Sequence, residues 1–226
     1  MAAGEGSRLR PLTDRWPKPI LPIDGRPVIA HVLHELRDAG CRRVAVVTGH
    51  LGEQVEELVG DGAAFGVEIV FVRQPRRDGS ADAVSRALAA GAGTPAIVVA
   101  ADTLFDRGAL TLFRREWQAS GAVGAIGIRR GQPRSGGKGT IDVEDGRVVR
   151  VFGQDPARDF TPAPLWGLGN ALVSELEGLP GPPYELGYAY QRAIDASTEI
   201  RAILIGGTRD VTAVSDVVVE NFPYLS

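Results

Sequence analysis

The sequence has one cysteine, almost no charge imbalance and no long hydrophobic run. The single cysteine among 226 residues, Cys41, excludes an internal disulfide and a zinc centre built from several thiolates. The 25 basic and 28 acidic residues give a net charge of −3, which does not indicate the basic surface of a nucleic-acid-binding protein. No apolar stretch approaches the ~18 residues of a membrane span, and the N-terminal residues lack an apolar signal segment. We therefore expect a cytoplasmic protein that binds neither nucleic acid nor membrane.

The first half of the sequence alternates short β-branched runs with helical stretches. Arg43–Thr48, Glu68–Val72 and Ala96–Ala101 are nearly continuous apolar runs, typical of parallel strands covered on both faces. Helices are predicted between them, the first from Pro27 to Gly40, a good first-turn residue and a good C-terminal cap. This alternation predicts an α/β fold with a doubly wound, mixed but mostly parallel, Rossmann-like sheet.

The second half differs in character. A hairpin is predicted at 140–152, because Asp145-Gly146 is a strong turn signal between two alternating strands. A further helix is predicted at 184–197 and a strand at 200–205. We expect one domain over residues 1–226, with a first half of about 1–121, a second half of about 122–226 and the hairpin as a small subdomain.

The N-terminal segment carries the clearest chemical signal. Gly4 and Gly6 flank one residue in a glycine-rich turn, and glycines allow backbone N–H groups to approach and bind phosphate. Arg8 offers a planar fork for phosphate oxygens, and Lys18, between two prolines, presents a fixed charge. This array predicts a polyphosphate site, and a surface turn with solvated charges is the alternative interpretation.

The N-terminal segment resembles the signature of the sugar-phosphate nucleotidyltransferases, the NDP-sugar pyrophosphorylases. Their pattern is a Gly-x-Gly-Thr/Ser-Arg loop leading to Pro-Lys. The resemblance covers most of the chain, because further motifs follow in the family's order: Gln74-Pro75 with Gly79–Ala83, Ala101-Asp102, Gly139–Asp142 with Gly146–Val148, and Asp210–Thr212 with Asp216. It implies a GT-A-like fold, with the first half binding the nucleotide and the hairpin on the sugar side.

The resemblance also implies roles for individual residues. Arg8 and Lys18 would be catalytic, and Asp102 and Asp210 would hold Mg²⁺, which prefers carboxylates, phosphate oxygens and water. The remaining roles are nucleotide binding by Ala3, Gly4, Gly6, Ser7, Gln74, Gly79 and Ser80, and sugar-side contacts by Gly139, Gly167 and Asn170.

The expected reaction joins a nucleoside triphosphate to a phosphorylated small molecule. A sugar-1-phosphate oxygen would attack the α-phosphorus, giving an NDP-sugar and pyrophosphate. The Gln74 amide carries a donor and an acceptor, which match the N3–H and carbonyl edge of uracil or thymine, so UTP or dTTP is favoured. A homo-oligomer is left open.

Two departures from the family pattern keep other functions open. A buried strand should precede the Ala-Ala-Gly turn, and we expect it to lie upstream of Met1. Gln154-Asp155-Pro156 stands where many members have Glu-Lys-Pro, so Arg158 or Lys138 replaces the lysine or the acceptor differs. The alternatives are cytidylyl or other nucleotidyl transfer to a non-hexose phosphate such as phosphocholine, and a non-catalytic nucleotide- or sugar-sensing module.

Overall fold

The structure, a computed structural model, describes residues 1–131, 139–153 and 160–222. Six α-helices, six short 3₁₀ helices and twelve strands lie in these ranges. The helices are α1 Val28–Asp38, α2 Gly52–Val59, α3 Ser80–Ala89, α4 Ala109–Ser120, α5 Leu186–Asp195 and α6 Val214–Asn221. The strands are β1 Pro22–Ile23, β2 Arg26–Pro27, β3 Arg43–Thr48, β4 Glu68–Arg73, β5 Ala96–Val99, β6 Thr103–Phe105, β7 Gly124–Arg130, β8 Thr140–Glu144, β9 Arg147–Gly153, β10 Phe160–Leu168, β11 Ile200–Leu204 and β12 Thr208–Asp210.

The main sheet has six strands in the order β5-β10-β7-β11-β9-β8. Strands β7 and β11 pair in parallel, and the other neighbours in this sheet are antiparallel. Strands β3 and β4 form a separate parallel pair, and β12 pairs antiparallel with β6. Helices pack against these sheets, so the predicted α/β fold with a mixed sheet is confirmed. Within the six-stranded sheet, antiparallel neighbours outnumber the parallel pair, whereas the sequence predicted a mostly parallel sheet, because most of these strands come from the hairpin-rich second half of the chain.

Helix α1 shows how the sequence produces the buried layers. Apolar residues recur at helical spacing along it, and this stripe faces the core, while the opposite face carries polar residues such as His34 and Arg37. The buried residues of α1 are Val28, Ile29, Ala30, Val32, Leu33 and Leu36. The helix begins directly after the short β1–β2 hairpin, which the sequence did not predict.

Strands β3 and β5 lie on either side of a gap, and of the residues that the structure describes only Met1 and Ala2 enter it. The Ala2 amide donates to the Val47 carbonyl at 2.8 Å, and the Met1 amino group donates to the Val99 carbonyl at 2.8 Å. The Ala101 amide donates to the Met1 carbonyl at 2.9 Å. Residues 1–2 therefore pair with both strands and occupy one end of the space between β3 and β5, where a further strand could fit.

The rest of the gap is an apolar cavity of about 680 Å³. The edges of β3 and β5 border it, α1 contributes Ile29, Val32 and Leu36, and α3 contributes Val84 and Leu88. The expected strand upstream of Met1 stays a prediction, and this cavity is the place in the fold that such a strand would enter.

Strand β10, Phe160–Leu168, pairs with β7 at both of its ends and with β5 over Leu165–Leu168. Among the described residues, no helix combines the length and apolar character required to span a bilayer.

Candidate active site

Two carboxylates that are far apart in sequence meet where β5 leads into β6. Asp102 follows β5, and Asp210 is the last residue of β12, directly opposite Thr103 of β6. The Thr103 hydroxyl donates to Asp210 Oδ1 at 2.8 Å and lies 3.5 Å from Asp102 Oδ1. The structure thus brings together the two residues predicted to hold metal, with one hydroxyl between them.

Each carboxylate is paired with a cation. Lys18 Nζ donates to Asp102 Oδ2 at 2.6 Å, and the lysine side chain is only 10% exposed. Arg129 on β7 lies 3.3 Å from Asp210 Oδ2 and also donates to Thr161 and Thr208. The arginine is therefore held by three partners, and it fixes the orientation of Asp210.

Sequence reasoning missed Thr103 and Arg129. A signal for Thr103 was its place immediately after Asp102, at the end of a buried strand. The signal for Arg129 was weaker: it is a cation at the end of the apolar run of β7, whose first five residues are buried. Its pairing with Asp210 depends on the register of distant strands, which no local pattern indicates.

The glycine-rich loop packs directly against Lys18. Gly6 has a positive φ of 65°, and a Cβ at this position would lie 2.9 Å from the Thr13 methyl group and 3.3 Å from Lys18 Cβ. Among the described residues, the N–H groups of Gly4, Glu5 and Gly6 find no hydrogen-bond acceptor. These groups can therefore bind an anion beside the lysine.

The neighbouring predicted residues of this loop have different surroundings. Arg8 is exposed and forms no ion pair with a described residue, so its guanidinium can bind phosphate oxygens. Ser7 begins a short 3₁₀ turn. Ala3 is buried against Gly49, where a Cβ would lie 2.7 Å from the Ala3 carbonyl oxygen.

A second loop, residues 74–79, contacts the glycine-rich loop through an ion pair. Arg77 lies 3.5 Å from the Glu5 carboxylate. Gly79 has a φ of 103°, and a Cβ there would lie 2.3 Å from the Tyr184 carbonyl oxygen. Any side chain at position 79 would therefore clash with the Tyr184 backbone, so packing alone requires glycine here. Its predicted role, to let the backbone approach a base, comes in addition.

The Ser80 side chain is engaged within the protein. Its hydroxyl donates to Glu185 at 2.6 Å and accepts from the Leu186 amide at 2.8 Å. Ser80 thus joins the start of α5 to the start of α3, where the resemblance implied a nucleotide contact. A nucleotide-binding role for Ser80 would fall to its backbone.

The predicted sugar-side residues do not gather at this site. Gly167 is a packing residue: a Cβ would lie 2.7 Å from the Trp117 ring, and its carbonyl accepts from the Tyr190 hydroxyl. Asn170 lies near Thr94, at the opposite end of β5 from Asp102. The structure therefore does not bring Gly167 and Asn170 into the site, because β10 runs antiparallel to β5 and carries them to the other edge.

Gly139 and the acceptor-side departures belong to a part of the chain that is described incompletely. Gly139 precedes β8 and lies beside Gly153, where a Cβ would be 3.0 Å from the Gly153 carbonyl oxygen. Lys138, Asp155 and Arg158 lie outside the described residues.

The donor set suits Mg²⁺ better than a metal held by protein ligands alone. No group of three or more His, Cys, Asp or Glu side chains within residues 1–131, 139–153 and 160–222 could hold a metal. Mg²⁺ typically takes one or two carboxylates and completes its shell with substrate phosphates and water. Asp102 and Asp210 fit this pattern, since ionised carboxylates keep further acceptor sites beyond the bonds they already accept.

Paired carboxylates, cations and free backbone N–H groups at the strand ends define a site for polyphosphate chemistry. Residues 1–162 match the family described as nucleotidyl transferase, so the chain belongs to this family, and the resemblance inferred from the motifs is confirmed.

Three curated relatives illustrate the range of the family. An N-acetylmuramate alpha-1-phosphate uridylyltransferase of Neisseria meningitidis is 40% identical over 107 residues, covering 47% of this chain and 46% of that protein. A UTP–glucose-1-phosphate uridylyltransferase of Synechocystis is 31% identical, covering 70% and 43%. A glucose-1-phosphate thymidylyltransferase of Streptomyces griseus is 28% identical, covering 98% and 64%. The matched part of this chain thus spans less than two thirds of each relative.

The fold is also that of solved structures. A UDP-glucose pyrophosphorylase complexed with UDP-glucose superimposes with a TM-score of 0.80 at 21% identity, covering 99% of this chain and 96% of that chain. The apo form of a UDP-glucose pyrophosphorylase gives a TM-score of 0.78 at 20% identity, with the same coverage.

Proposed function

We propose that the protein is a Mg²⁺-dependent nucleotidyltransferase that transfers a nucleoside monophosphate from UTP or dTTP to a sugar-1-phosphate. The observation that carries the proposal is the contact of Lys18 with both the glycine-rich loop and Asp102. A triphosphate bound by the free N–H groups of that loop would lie beside the lysine and the two carboxylates.

In the proposed reaction, an oxygen of the sugar phosphate forms a bond to the α-phosphorus of the triphosphate. The bond from the α-phosphorus to the oxygen that bridges to the β-phosphorus breaks, and pyrophosphate leaves with that electron pair. Such a transfer needs alignment and charge neutralisation rather than a protein nucleophile. A bound Mg²⁺ would neutralise phosphate charge.

The side chains divide this work. Arg8 would bind the β- and γ-phosphates and stabilise the departing pyrophosphate, because it is exposed next to the glycine-rich loop. Lys18 would stabilise the charge that develops on the α-phosphate. Asp102 and Asp210 would hold the metal, and Arg129 would keep Asp210 in place through its ion pair.

Pyrophosphate release tests the proposal. The full chain is incubated with Mg²⁺, each of four NTPs and a panel of phosphorylated acceptors, with Asp102→Asn as the inactive comparison. We expect release with UTP or dTTP and a sugar-1-phosphate. Release only with other phosphates such as phosphocholine would transfer the proposal to the non-hexose alternative, and nucleotide binding without release would identify a sensing module.

A further inference from the structure

The Gln74 amide is held in one orientation by its neighbours. Its nitrogen donates to the Gly79 carbonyl at 3.0 Å and to Asp82 Oδ2 at 2.7 Å. An amide nitrogen has two hydrogens, so both are used within the protein. The opposite orientation would place the amide oxygen against two acceptors, which makes it unfavourable.

The amide oxygen of Gln74 is therefore what remains for a ligand. No described residue donates to this oxygen, although the side chain is only 6% exposed. The sequence interpretation, in which this amide offered a base both a donor and an acceptor, is corrected here. The oxygen is not among the buried unpartnered polar atoms of the described residues, so it is open to a ligand, and a base that supplies a ring N–H can donate to it.

Asp82 is the residue that enforces this orientation. It lies on the first turn of α3 and accepts from both Gln74 and Arg86 Nε, the latter at 2.7 Å. Burial of Asp82 opposes its ionisation, but the hydrogen bonds from Arg86 and Gln74 outweigh burial and lower the pKa of the carboxyl. Asp82 is thus ionised at neutral pH and can only accept.

We infer that Asp82 is a positioning residue for base selection, which holds Gln74 so that the site takes bases with a ring N–H. This inference rests on the proposed function, in which Gln74 faces the base. Uracil, thymine and guanine carry such an N–H, whereas cytosine and adenine present a ring-nitrogen acceptor there. Two acceptors would then meet without a hydrogen between them, so CTP and ATP are disfavoured.

The inference is tested independently of turnover by measuring the affinities of the full chain for UMP and for CMP. Calorimetry gives both dissociation constants, and no metal is added. We expect the wild type to prefer UMP by about 100-fold, which corresponds to about 2.8 kcal/mol and lies within the cost of leaving one polar group unpaired. In Asp82→Ala, the Gly79 carbonyl alone orients the amide, and the preference should fall at least about tenfold. Asp82→Asn should largely restore it, because its amide oxygen can accept from Gln74.

Arg86→Ala is the matched control, because it removes the ion pair and leaves the Asp82 carboxylate in place. Its UMP-to-CMP ratio should stay near the wild-type value. A purely structural role for Asp82 would weaken both nucleotides equally and leave the ratio unchanged in Asp82→Ala, which would overturn the inference, as would a wild type that binds CMP as well as UMP.

The two proposals fail in different ways. If no NTP and acceptor release pyrophosphate but the binding ratios follow the expected series, the reaction is wrong and the base selection stands. If UTP is consumed but the ratio in Asp82→Ala equals that of the wild type, the reaction stands and the role of Asp82 is wrong.

Discussion

A short apolar segment joined to the amino group of Met1 should fill the cavity between β3 and β5. Ala2 bridges Thr48 in parallel register, so residues added before Met1 would run alongside Val46 and on toward Arg43. On the other side they would run alongside Val99 and on toward Ala96. The perturbation is therefore a Val-Ile-Val-Ile extension, long enough to match both edges.

The expected gain follows from burial, backbone pairing and ordering. Burying a Val or Ile side chain contributes about 1.5–3 kcal/mol. Two backbone hydrogen bonds per residue add about 1 kcal/mol each. Ordering a residue with such a side chain costs about 2–3 kcal/mol. A net gain of about 1 kcal/mol for each added residue, about 4 kcal/mol in all, should raise the melting temperature by roughly 8–16 °C.

The assay compares this extension with Gly-Ser-Gly-Ser, which has the same length but little apolar surface and a high cost of ordering. Calorimetry measures the melting temperatures, and hydrogen exchange measures protection of the amides of β3 and β5. Equal melting temperatures for the two extensions, or unchanged exchange at both strand edges, would refute the reasoning.

Three further predictions concern single groups. Lys18→Met should lower the rate of pyrophosphate release by about 10²–10³ with little change in melting temperature, and near-normal turnover would contradict its role. Tyr190→Phe leaves the Gly167 carbonyl without its donor and should cost about 1–3 kcal/mol in urea unfolding; an unchanged midpoint would show that the bond contributes nothing. Burial lowers the pKa of the Met1 amino group from 8.0 to about 6. The unfolded chain then binds the extra proton, so the free energy of unfolding should rise by about 2 kcal/mol from pH 6 to pH 8. An N-acetylated chain should lack this component, and identical pH profiles for the two forms would exclude it.

Local sequence signals predicted the elements of the first half closely. Strand β3 has the predicted bounds, because a continuous β-branched run ends at a turn on both sides. The β8–β9 hairpin turns at Asp145-Gly146 as predicted, with both residues at positive φ. The Asp216 carboxylate serves the last helix, since it accepts from the Thr212 and Ala213 amides before α6.

What sequence could not supply was the set of long-range pairings. The contact of Arg129 with Asp210 depends on how close β12 lies to β7 in the fold. The hydrogen bond that orients the Gln74 amide depends on how α3, which carries Asp82, follows the loop. Asn170 lies away from the two carboxylates for the same reason, because the direction of β10 in the sheet decides which edge the residue reaches. Motifs indicate which residue types are present, whereas strand direction decides which of them meet.

The pairing of β12 with β6 has a consequence for synthesis of the protein on the ribosome. Asp210 reaches Thr103 only through a strand made 107 residues later. Nascent chains emerge from the N-terminus first. The glycine-rich loop and Asp102 can therefore fold before the second carboxylate has been translated, and the proposed catalytic centre is among the last parts of the molecule to be completed.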